Sequence, residues 1–92
     1  MIRKKYTIIP TEDFKKDFGK LSSKHQKMVL KKLRLLEVNP RYPSLRTKKI
    51  LGCDDGRFES SVNMDIRIFW RFEDEKIIVA INVGHHDILK RY

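Results

Sequence analysis

The sequence predicts an α+β domain, a curved antiparallel sheet of about four strands with two N-terminal helices packed on one side. Three observations support this prediction. Apolar residues recur at helical spacing only in residues 11–40, alternating apolar and polar residues occupy the second half, and short turns separate the strand-like segments there. Short turns join antiparallel neighbours. A chain of 92 residues is expected to form a single domain, residues 1–92, with a modest core.

The first two elements are predicted from β-formers and a capping residue. The segment "RKKYTIIP", residues 3–10, is typical of a strand that ends at its proline. The segment "TEDFKKDFGKL" follows it and predicts a short helix, with Thr11 as its cap and acidic residues in its first turn. Phe14 and Phe18 lie one helical turn apart and should pack together.

The strongest helical pattern lies in "SSKHQKMVLKKLRLLEVNP", residues 22–40. Ser23 and Gln26 predict a capping box at its start. Val29, Leu33 and Leu36 repeat at helical spacing and should face the core. The helix is expected to end at the Asn-Pro pair that closes the segment.

A second face of this helix is basic. It carries four cations, Lys24, Lys27, Lys31 and Arg34. A basic face is either simply solvated or binds phosphate or an acidic partner, and the sequence leaves both interpretations open.

The second half has the two-residue period of strands. "LRTKKIL" shows a short alternation, "GCDDG" predicts a loop, and "RFESSV" predicts a strand. "IRIFWRF" predicts a strand with Ile66, Ile68, Trp70 and Phe72 on one face and Arg67, Phe69 and Arg71 on the other. "IIVAINV" is apolar on both faces, which is typical of a central covered strand, and Gly84 is expected to end it.

The charge balance favours a polyanionic partner. The chain has 21 Lys and Arg against 12 Asp and Glu, a net charge of +9 and an isoelectric point near 9.9. Nucleic acid, an acidic protein segment or an anionic membrane would fit this charge. No apolar run is long enough to span a bilayer and no signal peptide is evident, so no membrane partner is expected. The single Cys53 excludes an internal disulfide, and a cytoplasmic location is expected.

The candidate chemistry rests on cations and imidazoles. The sequence has no glycine-rich phosphate motif, hydrolase motif or zinc spacing, so neither a metal nor a small-molecule cofactor is expected. What remains is a set of basic side chains, Arg46, Lys48, Lys49, Arg57, Arg67, Arg71, His85 and His86, with Tyr92 in the same tail.

That set suits RNA cleavage without a metal, in which a 2′-hydroxyl attacks the adjacent phosphate and expels the next 5′-oxygen. The reaction needs a base, an acid and cations that hold the charge building on the phosphate. Histidine can serve as acid or base near neutral pH, and arginine binds phosphate in bidentate fashion. A structural role for the histidines is the alternative, and since adjacent residues of a strand point to opposite faces, only one of them should enter a site.

The C-terminal segment "DIRIFWRFEDEKIIVAINVGHHDILKRY", residues 65–92, resembles the C-terminal half of RelE-type toxins of the RelE/ParE toxin–antitoxin superfamily. The matching features are Ile66-Arg67 on a strand, an apolar run, an acidic turn, a strand that ends in Val83-Gly84, and a tail with histidines and a tyrosine. The first half is similar in order and length, so the resemblance covers nearly the whole chain.

The resemblance implies a metal-independent ribonuclease that cuts messenger RNA in the ribosomal A site, and a cognate antitoxin that blocks it. It assigns a phosphate clamp to Arg67 and an acid or transition-state stabiliser to His86. Tyr92 would stack on a base or transfer a proton.

The general base is open, because many members of the superfamily carry lysines on the strand before the arginine strand. Here that strand offers Glu59 and Ser61, which face the same way in its alternation. The base is therefore Glu59, or else Lys48 or Lys49 reaching in from the preceding segment. His85 is the other candidate for proton transfer, and the lysine pair is expected to hold RNA together with three further cations, Arg46, Arg57 and Arg71.

Two other functions stay open. A ParE-like toxin would bind DNA gyrase without cutting RNA, and a catalytically inactive member would only bind RNA or an antitoxin. The nuclease interpretation expects Arg67 and at least one of His85 and His86 on the same open concavity.

Overall fold

A computed structural model describes residues 5–50 and 56–85 of the chain. Over these residues the chain forms five strands, two α-helices and one 3₁₀ turn, Pro43–Leu45. The helices are α1 (Glu12–Gly19) and α2 (Ser23–Val38), and the strands are β1 (Thr7–Pro10), β2 (Lys48–Lys49), β3 (Phe58–Ser61), β4 (Ile66–Phe72) and β5 (Ile77–His85).

The expected α+β class is confirmed, but the described part of the sheet differs from the prediction in two respects. It has five strands rather than about four, in the order β1-β5-β4-β3-β2. It is also mixed, because β1 pairs parallel to β5 while the other three pairs are antiparallel. Short turns predict antiparallel pairing only between consecutive strands. β1 and β5 are separated by both helices and the other three strands, so that rule did not apply to them.

Helix α1 is tied to β5 by its own cap. Thr11 Oγ1 accepts a hydrogen bond from the Phe14 backbone N–H at 3.0 Å, as expected for the cap, and donates one to the Ile81 carbonyl at 2.8 Å. Asp17 Oδ2 accepts from the Asn82 side chain at 3.2 Å. α1 therefore lies against the part of β5 that β1 does not reach, which protects an otherwise open strand edge. Phe14 and Phe18 stack as predicted, with ring centroids 6.4 Å apart.

Helix α2 begins one residue earlier than the predicted capping box requires. Ser22, not Ser23, is the cap, and its Oγ accepts from the His25 backbone N–H at 3.2 Å. Gln26 consequently falls one position beyond the capping-box site, and its side chain donates instead to the Phe18 carbonyl at 3.0 Å. The predicted core positions are confirmed, since Val29 and Leu36 are fully buried and Leu33 packs against the core.

The core lies between the helices and one face of the sheet. That face presents Ile66, Ile68 and Trp70 of β4, as predicted, all buried. Helices, sheet and connecting segments contribute the buried cluster Phe14, Val29, Leu36, Leu45, Val62, Ile66, Ile68, Trp70, Ile78, Ala80 and Val83.

Strand β5 continues past the glycine that was expected to end it. Gly84 lies inside β5 and pairs with Arg67, and the strand runs on to His85. A bulge interrupts the β4–β5 register between Phe69 and Trp70. Of the elements described, neither helix combines the length and apolar composition needed to cross a bilayer.

Candidate functional site

The strand register brings four polar side chains to the sheet face that lies opposite the hydrophobic core. Arg67 pairs with Ser61 on one side and with Gly84 on the other. Glu59 on β3 pairs with Lys48 of β2. Side chains of directly paired residues share a face, and residues two apart on one strand share it too. Lys48, Glu59, Ser61 and Arg67 therefore point to one side, which we call the site face.

The Arg67 side chain is held by the backbone rather than by an acid. Its Nη1 donates to the Asn63 carbonyl, and at 3.3 Å to the Ile66 carbonyl. No carboxylate within residues 5–50 and 56–85 lies within ion-pair distance of the guanidinium. Two backbone carbonyls therefore orient the guanidinium group, and no carboxylate of the described residues neutralises its charge.

Arg67 and a second arginine, Arg46, line a polar cleft of about 340 Å³. The cleft is lined mainly by polar groups from the turn before β2 and from the β3–β4 turn, and its described lining is Ser44, Arg46, Ser61, Val62, Asn63, Met64 and Arg67. Two guanidinium groups, two hydroxyls and an amide around one opening match the donors that bind a phosphodiester.

Arg46 occupies an unfavourable backbone conformation. Its φ and ψ are 47° and 44°, in the left-handed region, directly after the 3₁₀ turn Pro43–Leu45. Among the described non-glycine residues it is the only one with positive φ. An L-residue there costs roughly 1 kcal/mol compared with glycine. The chain nevertheless has an arginine at this position, and the arginine lines the cleft.

Glu59 is a nearly buried carboxylate on the site face. It is 3% exposed, and its Oε1 lies 3.2 Å from Nζ of Lys48, whose side chain is 70% exposed. Its Oε2 is buried and has no hydrogen-bond partner within the described residues. A buried carboxylate oxygen without a donor is costly, so Glu59 is the least satisfied acidic group of the site face within the described residues.

His85 lies on the other side of the sheet from Arg67. It pairs with Ile66, and its side chain therefore leaves β5 on the face opposite the site face. There its Nδ1 contacts Oδ2 of Asp65, and both residues are exposed. Within the described part of the chain, the expected shared concavity of Arg67 and a histidine is not formed by His85. His86 and Tyr92 lie outside the described residues.

The remaining predicted cations are dispersed. Lys49 pairs with Phe58 and so points away from Lys48 and the site face. Arg71 shares a face with Arg67 but bonds Glu73 at 2.6 Å. Arg57 precedes β3, where its carbonyl accepts from the Ile50 N–H at 2.9 Å.

Sequence reasoning missed the β3–β4 turn as part of the site. Asn63 Oδ1 accepts from the backbone N–H groups of Asp65 at 2.8 Å and Ile66 at 2.7 Å, so this side chain shapes the turn, while the Asn63 carbonyl holds Arg67. Asp65 faces His85 from the same turn. The detectable signal was the "NMD" connection itself, because asparagine commonly bonds the backbone two residues on in tight turns.

Comparison with known proteins places this geometry on a known fold. No family model matches the sequence, and no curated protein matches it at a significant level. Solved structures do match. A YoeB/ParE toxin from Agrobacterium tumefaciens is 12% identical and superposes with a TM-score of 0.74 over 87% of this chain and 98% of that one. The fold is that of RelE/ParE-type toxins.

Two further structures with this fold are complexes of two proteins. The archaeal RelE–RelB complex from Pyrococcus horikoshii OT3 has a chain that is 19% identical, with a TM-score of 0.71 over 88% of this chain and 94% of that one. The Escherichia coli DinJ–YafQ toxin–antitoxin complex has one that is 21% identical, with a TM-score of 0.70 over 92% and 97%. At these identities the likeness concerns the fold, and the fold expected from the sequence resemblance is confirmed.

Proposed function

We propose that the chain is the toxin of a type II toxin–antitoxin pair and acts as a metal-independent endoribonuclease that cleaves messenger RNA on the ribosome and so inhibits translation. The observation that carries this proposal is the state of Arg67. A half-buried guanidinium, oriented by two backbone carbonyls and without a carboxylate partner in the described residues, lines a cleft with Arg46. A phosphate would supply the missing counter-charge through bidentate hydrogen bonds.

The strain at Arg46 supports the same proposal. Residues held in the left-handed region cluster at functional sites, where the surrounding structure maintains them. Here the strained backbone of Arg46 places a second cation in the cleft that Arg67 lines. Two arginines can bind two non-bridging oxygens of one phosphate and stabilise the extra negative charge of the transition state.

In the proposed reaction, the 2′-oxygen of one ribose attacks the adjacent phosphorus. A base removes the proton of the 2′-hydroxyl, the P–O5′ bond breaks, and an acid gives the departing 5′-oxygen a proton, which leaves a 2′,3′-cyclic phosphate and a 5′-hydroxyl. Glu59 is the proposed base, because it shares the site face with Arg67 and its Oε2 has no described partner. Lys48, which is paired with Glu59 and largely exposed, would contact RNA at the outer edge of the site face.

The proton donor is proposed from the resemblance, as His86 assisted by Tyr92. His85 is bound to Asp65 on the opposite face, and we assign it no direct contact with the scissile phosphate. Arg57 and Arg71 are proposed as peripheral RNA contacts only, since Arg71 is already paired with Glu73.

The proposed partners follow from the reaction and from the related structures. The substrate is messenger RNA on the ribosome, so ribosomal RNA is a further contact and the cytoplasm is the place of action. A cognate antitoxin is the proposed protein partner, in keeping with the RelE–RelB and DinJ–YafQ complexes of the same fold. Neither a membrane nor a small-molecule cofactor forms part of the proposal.

Expression of the chain alone, with mapping of messenger RNA ends against the reading frame, tests this function. Arg67→Gln should abolish in-frame cleavage and relieve growth arrest. Arg71→Gln is the matched control, because it removes the same group from the same strand and face but outside the cleft, and it should retain cleavage.

Three outcomes would contradict the proposal. Intact messages in cells arrested by the wild-type chain would exclude the nuclease, and accumulation of DNA damage in those cells would indicate gyrase inhibition instead. Equal loss of cleavage in Arg67→Gln and Arg71→Gln, with both variants folded, would remove the specific role of the cleft.

A further inference from the structure

The outer face of α2 carries a row of cations that the fold does not use. It consists of Lys24, Lys27, Lys31 and Arg34, which we call the α2 stripe. All four are exposed, and within residues 5–50 and 56–85 none of them forms an ion pair. Along the helix the stripe is about 15 Å long, since its ends are ten residues apart at 1.5 Å per residue.

The placement of these charges opposes the stability of the helix. The N-terminus of a helix carries partial positive charge, so cations near it are unfavourable. Lys24 lies in the first turn of α2, which has no acidic residue, and the last turn has no basic residue but contains Glu37. Helix α1 shows the opposite, favourable arrangement, with Glu12 and Asp13 in its first turn and Lys16 in its last.

The stripe also repels itself. Its members are separated by three, four and three residues, which are the spacings at which helical side chains are neighbours, and like charges at these spacings are destabilising. A face that serves only for solvation would gain from interspersed acids. Both the unfavourable dipole interaction and the repulsion between like charges destabilise α2. Their presence indicates that an external anion offsets them.

We propose that the α2 stripe is a second RNA-binding surface that binds the phosphate backbone of double-helical RNA and adds affinity without taking part in cleavage. The proposal rests on the proposed function, because it supplies an RNA partner near the cleft. Lys32, on the adjoining flank of α2, donates to Ser44 Oγ at 3.4 Å, and Ser44 lines the cleft. Lys31 of the stripe is the next residue of α2, so this contact joins the same turn of the helix to the cleft lining.

The composition of the stripe favours RNA over the other anions. A protein interface usually contains several aromatic and apolar residues at its centre and few lysines, whereas the stripe has three lysines and one exposed apolar neighbour, Leu30. A membrane-surface helix must bury an apolar face in lipid, and the apolar face of α2, with Val29 and Leu36, is already buried in the core. Backbone phosphates require only such regularly placed cations.

The test is the salt dependence of binding to an RNA duplex of about 20 base pairs with no single-stranded tail, measured by fluorescence anisotropy. The stripe variant carries Lys24→Gln, Lys27→Gln, Lys31→Gln and Arg34→Gln. The control variant loses the same number of exposed charges elsewhere, through Lys5→Gln, Lys15→Gln, Lys16→Gln and Lys76→Gln. Both variants have equal net charge, so long-range attraction is matched.

Four phosphate contacts on a duplex contribute about 3.6 to the slope of log K against log salt. Between 50 and 200 mM salt, wild-type affinity should therefore fall about 150-fold more than that of the stripe variant, and the control variant should resemble the wild type. The stripe variant should unfold at the same temperature as the wild type or higher, because its cations are not structural. Arg67→Gln should abolish cleavage and leave the duplex slope unchanged, which separates this inference from the proposed function.

Two results would overturn the inference. Equal slopes for the wild type and the stripe variant would mean that the stripe is only a solvated face. A stripe variant that loses binding to poly-L-glutamate but not to the RNA duplex would identify an acidic protein as the partner. A failure of messenger RNA cleavage in the wild type would refute the proposed function. The slopes of log K against log salt for duplex binding would still decide this inference.

Discussion

Replacement of Ser60 by alanine should destabilise the protein far more than the loss of one hydroxyl suggests, because Ser60 is the centre of a buried relay. Trp70 Nε1 donates to Ser60 Oγ at 2.8 Å, and Ser60 Oγ lies 2.7 Å from Thr47 Oγ1, which itself donates to the Pro40 carbonyl at 2.6 Å. The Thr47 proton is committed to Pro40, so Ser60 must be the donor to Thr47. The relay is complete, with every donor used.

The magnitude follows from what each group loses. Trp70 is 1% exposed and Ser60 is fully buried, so in Ser60→Ala the indole N–H has neither its acceptor nor water. Leaving a buried donor unpaired costs about 1–3 kcal/mol. Thr47 is half-buried and can recover a hydrogen bond from water, and the removed hydroxyl leaves little cavity. The expected loss in the free energy of unfolding is about 2 kcal/mol.

Urea denaturation followed by tryptophan fluorescence measures this effect, because Trp70 is the only tryptophan of the chain. With a slope of about 1–1.5 kcal/mol/M, the midpoint of Ser60→Ala should fall by about 1.5 M at unchanged slope. Ser61→Ala is the matched control, since its half-buried Oγ donates to the Asn63 carbonyl at 2.9 Å and has no other partner in the described part of the chain, and it should cost under about 1 kcal/mol. If Ser60→Ala costs no more than Ser61→Ala, the relay does not stabilise the fold as argued.

Two further predictions concern the site face. Arg46→Gly should leave the free energy of unfolding unchanged or raise it by up to about 1 kcal/mol, because glycine accepts the left-handed conformation, while messenger RNA cleavage falls; thermal denaturation and the cleavage assay measure the two effects. A clear loss of stability would instead give the Arg46 side chain a structural role. Lys48→Ala should cost about 1–2 kcal/mol, because it leaves the buried Glu59 carboxylate without its partner, and adding Glu59→Gln should restore most of that loss in urea denaturation. Additive costs in the double variant would show that the two residues are not coupled.

The sequence predicted those parts of the fold whose signals are local. Thr11 marks the start of α1, and the spacing of Val29 and Leu36 identifies the buried side of α2, because helical periodicity is complete within a few residues. The alternation in β4 likewise assigns Ile68 to the core and Arg67 to the other face. The parallel pairing of β1 with β5 has no local signal, since its partners, such as Ile8 and Ile78, are 70 residues apart.

For the site, alternation indicated that Glu59 and Ser61 face the same way, but the register that puts Arg67 on their face is seen only in the structure. It did not predict that Asp65 would contact His85, because that contact depends on the turn built by Asn63. The roles assigned to these side chains stay predictions. The left-handed backbone of Arg46 also had no signal in the sequence, where glycine or asparagine would have been expected.

The two faces of the sheet differ in how many of their polar groups have a hydrogen-bond or ion-pair partner. This difference is the best argument for the location of the proposed site. On the core face, Trp70 and Ser60 belong to a relay in which each donor has an acceptor. On the site face, within the described residues, Arg67 has no carboxylate partner and Glu59 Oε2 has no donor, and Arg46, which lines the adjoining cleft, is held in an unfavourable conformation. A chain this small has little stability to spare, so costs that accumulate around the cleft fit the phosphate binding proposed for it.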